Sequence, residues 1–479
     1  MGSSVKEYDA VTYKDLFLSS MNVAYIQKLD IVQRPGKHAS LELKAVLNGE
    51  QEENEFQNIG KTLTLLYQAQ EGVRPLFYGI IDKTSIEKDG SGVFLYLEAW
   101  DATQLMDTDR RSRAFQNPQM TPQQLMDVVM RTYPGADYKL NVPELPIGQL
   151  IIQYEETDWE FLNRFFSHYQ VALYPNPEFD RIRLLAGESP DTERFEWDHL
   201  PFILSQDYID LNRRRENGFE GLSIKQNMQY CVESYDIASL GNKIQYKGNQ
   251  WYVGGVERHL EKGILISRYL LWQKEGLKIL PYFNSRLTGV SIDGQITAAK
   301  RDRVQVEMEI DAGAEGENRY WFPYSTVASS SDGSGWYCMP ENGESIRVYF
   351  PVPDEKEAYV VTNIKAHEPV MGNPSDSMGN PNVRNIETAQ GNLVRFTEEG
   401  VEIAAGSGEG NILLKKSGEV ILDAAKDITI SAGKAINIVA ANEVILKSQT
   451  SIRVASEQGA DVELKEGRIS LHGMLINEN

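Results

Sequence analysis

The chain is short of cysteine, histidine and basic residues, and each shortage narrows what it can do. Cys231 and Cys338 stand alone in 479 residues; two isolated cysteines make no disulfide framework and fit a reducing cytoplasm. Six scattered histidines give no metal-ligand spacing. Lysine and arginine total 48 against 69 acidic residues, a net charge of −21, which favours solubility and speaks against a nucleic-acid partner. No apolar run reaches the roughly 18 residues of a membrane-spanning helix. Residues 1–10 carry Glu7 and Asp9 and no apolar core, so no signal peptide is expected and the expected starting compartment is the cytoplasm.

Two further absences are local. No Phe, Tyr or Trp follows Phe396 and no Pro follows Pro381, although aromatics are plentiful before. Over residues 411–464 the chain instead repeats every eight residues. Ile412, Val420, Ile428, Ile436, Val444 and Ile452 hold one apolar position, and Leu414, Leu422, Ile430, Ile438, Leu446, Val454, Val462 and Leu464 continue a second, two residues on. A third position is small: Ala424, Ala432, Ala440, Ser448 and Ser456. Period-2 alternation with β-branched residues is strand patterning.

One strand and one turn cannot close a core alone. If one chain supplied three faces per coil, the repeat would build little more than two coils, below the roughly three a solenoid needs. If three chains each supply one face, every octad becomes a layer. The three-chain prism accounts for the pattern better, with the single-chain solenoid as the alternative. Residues 392–479 are therefore expected to form a narrow homotrimeric spike.

The length implies three or four domains. Residues 1–105 read as a β-rich first barrel, with a hairpin at Asp89-Gly90-Ser91-Gly92. Residues 106–144 read as a helical connector, where Thr121 caps a helix that has Pro122 at its first position. Residues 145–284 read as a second barrel around a helix opened by the capping box Thr157-x-x-Glu160. Its Trp159, Leu162, Phe165, Phe166 and Tyr169 follow at helical spacing. Five strand-like runs in 285–366 suit an oligonucleotide/oligosaccharide-binding (OB) type barrel, and Pro369, Gly372, Pro374, Gly379 and Pro381 mark 367–391 as a linker.

The stretch Gln153-Tyr154-Glu155-Glu156-Thr157-Asp158-Trp159-Glu160-Phe161-Leu162-Asn163-Arg164-Phe165 resembles the Q-Y-x-E-S/T-D-x-x-F-L-x-R motif of the valine–glycine repeat protein G (VgrG) family. That family includes the central hub-and-spike proteins of contractile phage tails and related injection systems. Phe77-Tyr78-Gly79-Ile80 resembles its F-x-G-I/V strand, and Ser112-Arg113-Ala114-Phe115-Gln116-Asn117 its S-R-x-F-Q-N/D segment. In this order, ahead of an octad repeat, the matches are specific together and cover nearly the whole chain.

The resemblance implies a mainly β homotrimer with two hub barrels, an OB-fold neck and an intertwined triple-stranded β-helix. It implies a structural role, joining a sixfold inner tube to a threefold membrane-piercing tip. The partners it implies are the inner-tube and baseplate proteins, a proline-alanine-alanine-arginine (PAAR) type cap docking at Leu471 and Leu475, effector cargo, and transient contact with a target membrane. After assembly the protein is expected in a contractile particle that is ejected or released.

No enzyme, cofactor or metal site is expected. Adjacent Glu155 and Glu156 point to different faces and precede a capping box, so they make a poor acid/base pair. His367-Glu368 has no H-E-x-x-H partner, and the single His472 cannot supply the paired His-x-His that holds iron in some phage spike tips. Gly406-x-Gly408-x-Gly410 reads as a turn, and the aromatics around Trp159 read as core. The alternative class is a trimeric tailspike that cleaves glycans, but the repeat lacks the aromatic platform on which sugars stack.

Overall fold

The computed structural model describes residues 10–19, 21–48, 60–312, 318–325, 328–329, 335–336, 338–362, 380, 382–388 and 390–475. Pro369, Gly372, Pro374, Gly379 and Pro381, the expected linker residues, lie outside them, as do His367-Glu368 and residues 1–9. The protein is mainly β and divides into two compact units, Met1–Lys365 and Ala366–Asn479.

The first unit is built on one sheet. Its opening strands are β1 (Leu16–Leu18), β2 (Val23–Gln33), β3 (Ser40–Leu47), β4 (Thr62–Ala69), β5 (Gly72–Asp89) and β6 (Gly92–Asp101). In β3, Leu41, Leu43, Ala45 and Leu47 are buried and alternate with more exposed neighbours, the period-2 pattern read from sequence. The β5–β6 hairpin turns where expected, held by Asp89 Oδ1 accepting from the Ser91 amide and hydroxyl at 2.7 and 2.6 Å. Gly79 has a steric reason: a Cβ there would lie 2.2 Å from the Trp100 carbonyl oxygen and 2.6 Å from the Phe77 ring, so only glycine lets β5 pass β6.

Residues 106–144 contain more strand than expected. Helix α1 (Pro122–Met130) has Thr121 as its N-cap with a full Thr121–Gln124 capping box, but β7 (Arg110–Phe115) and β8 (Asp137–Leu140) flank it. β7 pairs antiparallel with β9 (Ile151–Thr157), and β8 joins β10 (Leu173–Pro175) and β11 (Arg183–Ala186) in a small sheet. Between them runs helix α2 (Asp158–Ser167).

The remaining sheet strands are β12 (Thr192–Glu193), β13 (Phe202–Gln206), β14 (Met228–Ser234), β15 (Lys243–Tyr246), β16 (Asn249–Glu261) and β17 (Ile264–Trp272), with helix α3 (Tyr208–Glu216) after β13. β15 and β16 meet at Lys247-Gly248, both at positive φ (49° and 73°), the geometry of a tight hairpin turn.

The two stretches read as separate barrels share this sheet. Its order is β1-β4-β5-β6-β3-β2-β16-β17-β14-β13, with β12 and β15 attached beside β16. β2 and β16 pair antiparallel over Gln33↔Val256 to Asp30↔His259, so twelve strands are continuous and two would-be edges vanish. Two cores lie along it, one centred on Leu29, Leu41, Phe77 and Leu95, the other on Trp197, Tyr246, Val253 and Tyr269.

The third run comprises β18 (Val290–Lys300), β19 (Arg303–Met308), β20 (Phe322–Pro323), β21 (Ala328–Ser329), β22 (Gly335–Trp336), β23 (Ser345–Phe350) and β24 (Tyr359–Thr362). The order β20-β19-β18-β23-β24 is closed by a bridge from Tyr324 to Val360, around Ile296, Val304, Phe322, Val348 and Phe350. Five short strands therefore close on one core.

In the second unit, β25 (Arg384–Glu387), β26 (Leu393–Thr397), β27 (Gly400–Ala405), β28 (Gly410–Lys415) and β29 (Val420–Ala424) form an antiparallel meander. After them come β30 (Ser451–Ala455), β31 (Asp461–Lys465) and β32 (Arg468–His472). The octads are strands at Ile412, Leu414, Val420, Leu422, Ile452, Val454, Val462 and Leu464, but Ile412 pairs with Leu422 and Leu414 with Val420 inside one chain. That differs from the expected one layer per octad. The reversal is made by the turn at Gly418 (φ 89°), where the Gly418 amide donates to the Lys415 carbonyl at 2.9 Å. Ile428, Ile430, Ile436, Ile438, Val444 and Leu446 lie in 425–450, where no strand is formed. A strand needs a neighbour for its amide and carbonyl groups; the Ala425 amide donates to the Glu409 carbonyl at 2.8 Å, and beyond it this segment pairs with no strand among the described residues.

Candidate functional site: a buried ionic joint

Helix α2 was expected to be amphipathic, with one face on a sheet. It is buried on every side except at Glu160, which is half-buried: Asp158 is 0 %, Arg164 2 % and Asn163 9 % exposed. The helix starts where the sequence places it. Thr157 Oγ1 accepts from the Glu160 amide, and Glu160 Oε2 accepts from the Thr157 amide, both at 3.1 Å. Phe161, Leu162, Phe165 and Phe166 fill a core shared with α1, β7 and the small β8-β10-β11 sheet, with Phe115 of β7 stacked on Phe161 at 5.5 Å.

The polar motif residues form two linked clusters. In the first, Asp158 accepts from Gln153 Nε2 at 3.0 Å and from the Tyr133 hydroxyl at 2.8 Å, and it forms an ion pair with Arg113. Gln153 Oε1 accepts from Arg113 Nε at 2.7 Å. The arginine of the Ser112–Asn117 segment thus reaches the aspartate of the Gln153–Arg164 motif.

In the second cluster, Arg164 donates from Nε and Nη2 to the two oxygens of Glu156, both at 2.7 Å, the bidentate geometry that makes such pairs strong. Its Nη2 also reaches the Ile152 carbonyl at 2.6 Å, and its Nη1 reaches Glu355 at 3.0 Å. Glu355 belongs to a short turn between β23 and β24 and is 3 % exposed. Helix α2 is therefore tied to the closed five-stranded sheet by a buried charge triad.

Other bonds cross the same boundary. Ala114 donates its amide to the Ile310 carbonyl at 2.7 Å, and Gln116 Nε2 donates to the Val306 carbonyl at 2.9 Å and to Asp311 at 2.6 Å. Asn284 Nδ2 donates to the Tyr154 carbonyl at 2.7 Å. Ala114, Leu150 and Ile152 pack into the closed sheet's core. A buried, fully ion-paired joint has strict geometry, since an unpaired charge there costs several kcal/mol.

Each motif residue has a place in this joint: Gln153, Glu156, Thr157, Asp158 and Arg164 in the polar clusters, Tyr154 through its carbonyl, and Phe161 and Leu162 in the core. Glu155 points outward at a positive φ of 48°, away from Glu156. Glu355, Asn284 and Tyr133 were not found from sequence; Glu355 lies 191 residues from Arg164, and no local pattern links them. The octad residues are elsewhere and differently disposed. Ile412, Leu414, Val420, Leu422, Ile428, Ile430, Ile436, Ile438, Val444, Leu446, Val454, Val462 and Leu464 are exposed, as are Leu471 and Leu475, while Ile452 is half-buried.

On this mainly β scaffold two of the short motifs, Ser112–Asn117 and Gln153–Phe165, converge at one buried joint, and both resemble segments of contractile-tail hub proteins. Residues 38–185 match the family model described as phage tail baseplate hub (GPD). Among solved structures, the half-lidded Francisella PdpA–VgrG complex is similar at 10% identity, covering 88% of each chain with a TM-score of 0.53. The lidless PdpA–VgrG complex is similar at 10% identity, 83% of this chain, 93% of that chain and a TM-score of 0.52. A protein of E. coli, c3393, described as a component of the type VI secretion system, gives 11% identity, 72% and 98% coverage and a TM-score of 0.49. No curated protein matches the chain. The likeness to VgrG and to the baseplate hubs of contractile tails that the motifs imply therefore stands, and at these identities the structures speak to fold.

Proposed function

We propose that three copies of this chain form the central hub and spike of a contractile injection system. Residues 1–105 and 145–284 supply the hub, with 106–144 between them, 285–366 the OB-type neck, 367–391 the linker and 392–479 the trimeric β-helix spike. The observation that carries the reading is the exposed octad row. Side chains such as Ile428, Ile430, Ile438 and Leu446, all more than half exposed, form an apolar surface too extensive for a chain that stays alone. Layering three such rows buries them and gives residues 425–450 strand neighbours.

The role is structural. The hub meets the sixfold inner tube and the baseplate, the neck passes load to the spike, and Leu471 and Leu475 receive a PAAR-type cap before the tip crosses a target membrane. Effector cargo, where present, rides on this assembly. Two of the carboxylates in the wall of an open cavity of about 1790 Å³ have structural partners: Asp236 accepts from the Trp197 indole and the Ser234 hydroxyl, and Glu233 pairs with Arg268.

Light scattering on the full chain and on a chain ending at Gly391 tests the proposal. A trimer that weakens or dissociates without the tail is expected. A full-length monomer under native conditions would overturn it and revive the single-chain solenoid.

A further inference from the structure

A second buried polar cluster ties the large sheet to α2, and it differs from the Arg164 triad in holding groups that titrate near neutrality. His38 lies in the turn before β3, with its ring 4.3 Å from that of Trp159 on α2. His38 Nδ1 lies 2.7 Å from Thr103 Oγ1, and that hydroxyl lies 2.5 Å from Asp101 Oδ1. On the other edge of the ring, Nε2 lies 3.4 Å from Asp107 Oδ2. Asp107 Oδ1 accepts from the hydroxyl of Thr157, the N-cap of α2, at 2.5 Å. The chain Asp101–Thr103–His38–Asp107–Thr157 therefore runs unbroken from the end of β6 to the start of the motif helix.

Its protons are constrained. Thr103 has one hydroxyl proton; if it goes to Asp101, His38 Nδ1 must donate to Thr103, and the opposite ring nitrogen then faces the Asp107 carboxyl. Asp101 is 1 % exposed and its Oδ2 is buried without a hydrogen-bond partner, a poor setting for an anion while His38, whose Nδ1 lies 3.9 Å from Oδ1, is neutral. Burial pushes its carboxyl up to about 7. Burial also lowers His38, against the raising effect of Asp107. Lys37 flanks His38 on its own turn and Asp107 faces it after β6, while α2 presents only the uncharged Trp159 and Thr157.

We propose that this chain of groups is a proton-controlled lock, fastening the motif helix to the first-lobe sheet more tightly in mild acid than in mild alkali. The sign follows from Asp101. Its carboxyl holds a proton in the closed form that it would not hold when opened to water, so closure weakens as pH rises from the ordinary carboxylate range toward 7 and levels off above. His38, lowered by burial from its ordinary 6.5, works in the opposite direction up to about pH 7 and offsets part of the rise.

The test is native-state hydrogen exchange on the full chain, following amides of α2 and residues 36–39, with intrinsic exchange divided out. Local opening is expected to rise between about twofold and about eightfold from about pH 6 to about pH 7.5; the upper figure is Asp101 alone, displaced from 3.8 to about 7, and the lower has His38 neutral throughout the closed form. In Asp101→Asn, which fixes the neutral form, the rise is expected to vanish. A flat profile in the unaltered protein, or an undiminished rise in Asp101→Asn, overturns the proposal. If Asp101→Asn does not fold, infrared difference spectra of the intact protein decide. A carboxylic-acid carbonyl band lost between about pH 6 and pH 8, and shifted by Thr103→Val, supports the lock. Its absence, or a band indifferent to Thr103→Val, refutes it.

Discussion

Replacing Arg164 with methionine is the sharpest test of the joint. The substitution keeps most of the side-chain volume and removes every donor. It leaves Glu156 and Glu355, with side chains 5% and 4% exposed, as two buried carboxylates without a cation, and strips the Ile152 carbonyl of its 2.6 Å donor. Breaking a buried pair from one side costs about 3–5 kcal/mol, and stranding two charges places this change at the upper end. Glu355→Gln is gentler, because Arg164 keeps its bidentate partner; the loss of one charged hydrogen bond is expected to cost about 1–2 kcal/mol. Both changes in one chain complete a cycle, with a coupling of about 0.5–3 kcal/mol for residues in contact. Unfolding of a chain this size is not two-state, so the readout is local opening by native-state hydrogen exchange at α2 and at Glu355–Glu357. If Glu355→Gln costs the same with Arg164 present or absent, the two sheets are not coupled through this pair and the argument fails.

Four shorter tests accompany it. Ile436→Asp acts three times over in a trimer; each lost apolar side chain forfeits about 1.5–3 kcal/mol, so light scattering should report monomers, and an unchanged trimer mass would remove Ile436 from the spike core. Thr157→Ala deletes both the N-cap of α2 and the hydrogen bond to Asp107 and should cost about 1 kcal/mol or more, with exchange fastest at the first turn of the helix. Gly79→Ala places a Cβ against the Trp100 carbonyl and should lower the thermal midpoint, most visibly through the β5–β6 pairing; a neutral result would show that the strands separate easily there. Leu471→Asp with Leu475→Asp should abolish pull-down of a PAAR-type cap while leaving the trimer intact, and retained capture would end that docking proposal.

Much of the local structure was legible before any coordinates. The capping boxes at Thr121 and Thr157 begin helices where their spacing places them, because an N-cap acts within four residues. The Asp89–Gly92 turn and the five strands from Val290 to Thr362 follow for the same reason: turn chemistry and alternation are properties of neighbours in sequence. The octad is legible as strand alternation at Ile412, Leu414, Val420 and Leu422, which lie on β28 and β29.

What depended on tertiary structure was the pairing of residues far apart in sequence. Twelve continuous strands in place of two separate barrels rest on Gln33 meeting Val256, and hydrogen bonding between distant edges leaves no periodic trace. Helix α2 looked amphipathic because its Asp158, Asn163 and Arg164 are polar. All but Glu160 is buried, because Arg113, Tyr133 and Glu355 arrive from elsewhere to meet the polar groups. Sequence by itself determined which segments turn, cap and alternate; only the folded chain decided which charges are neutralised, since Coulombic pairing in a low-dielectric interior depends on distance in space.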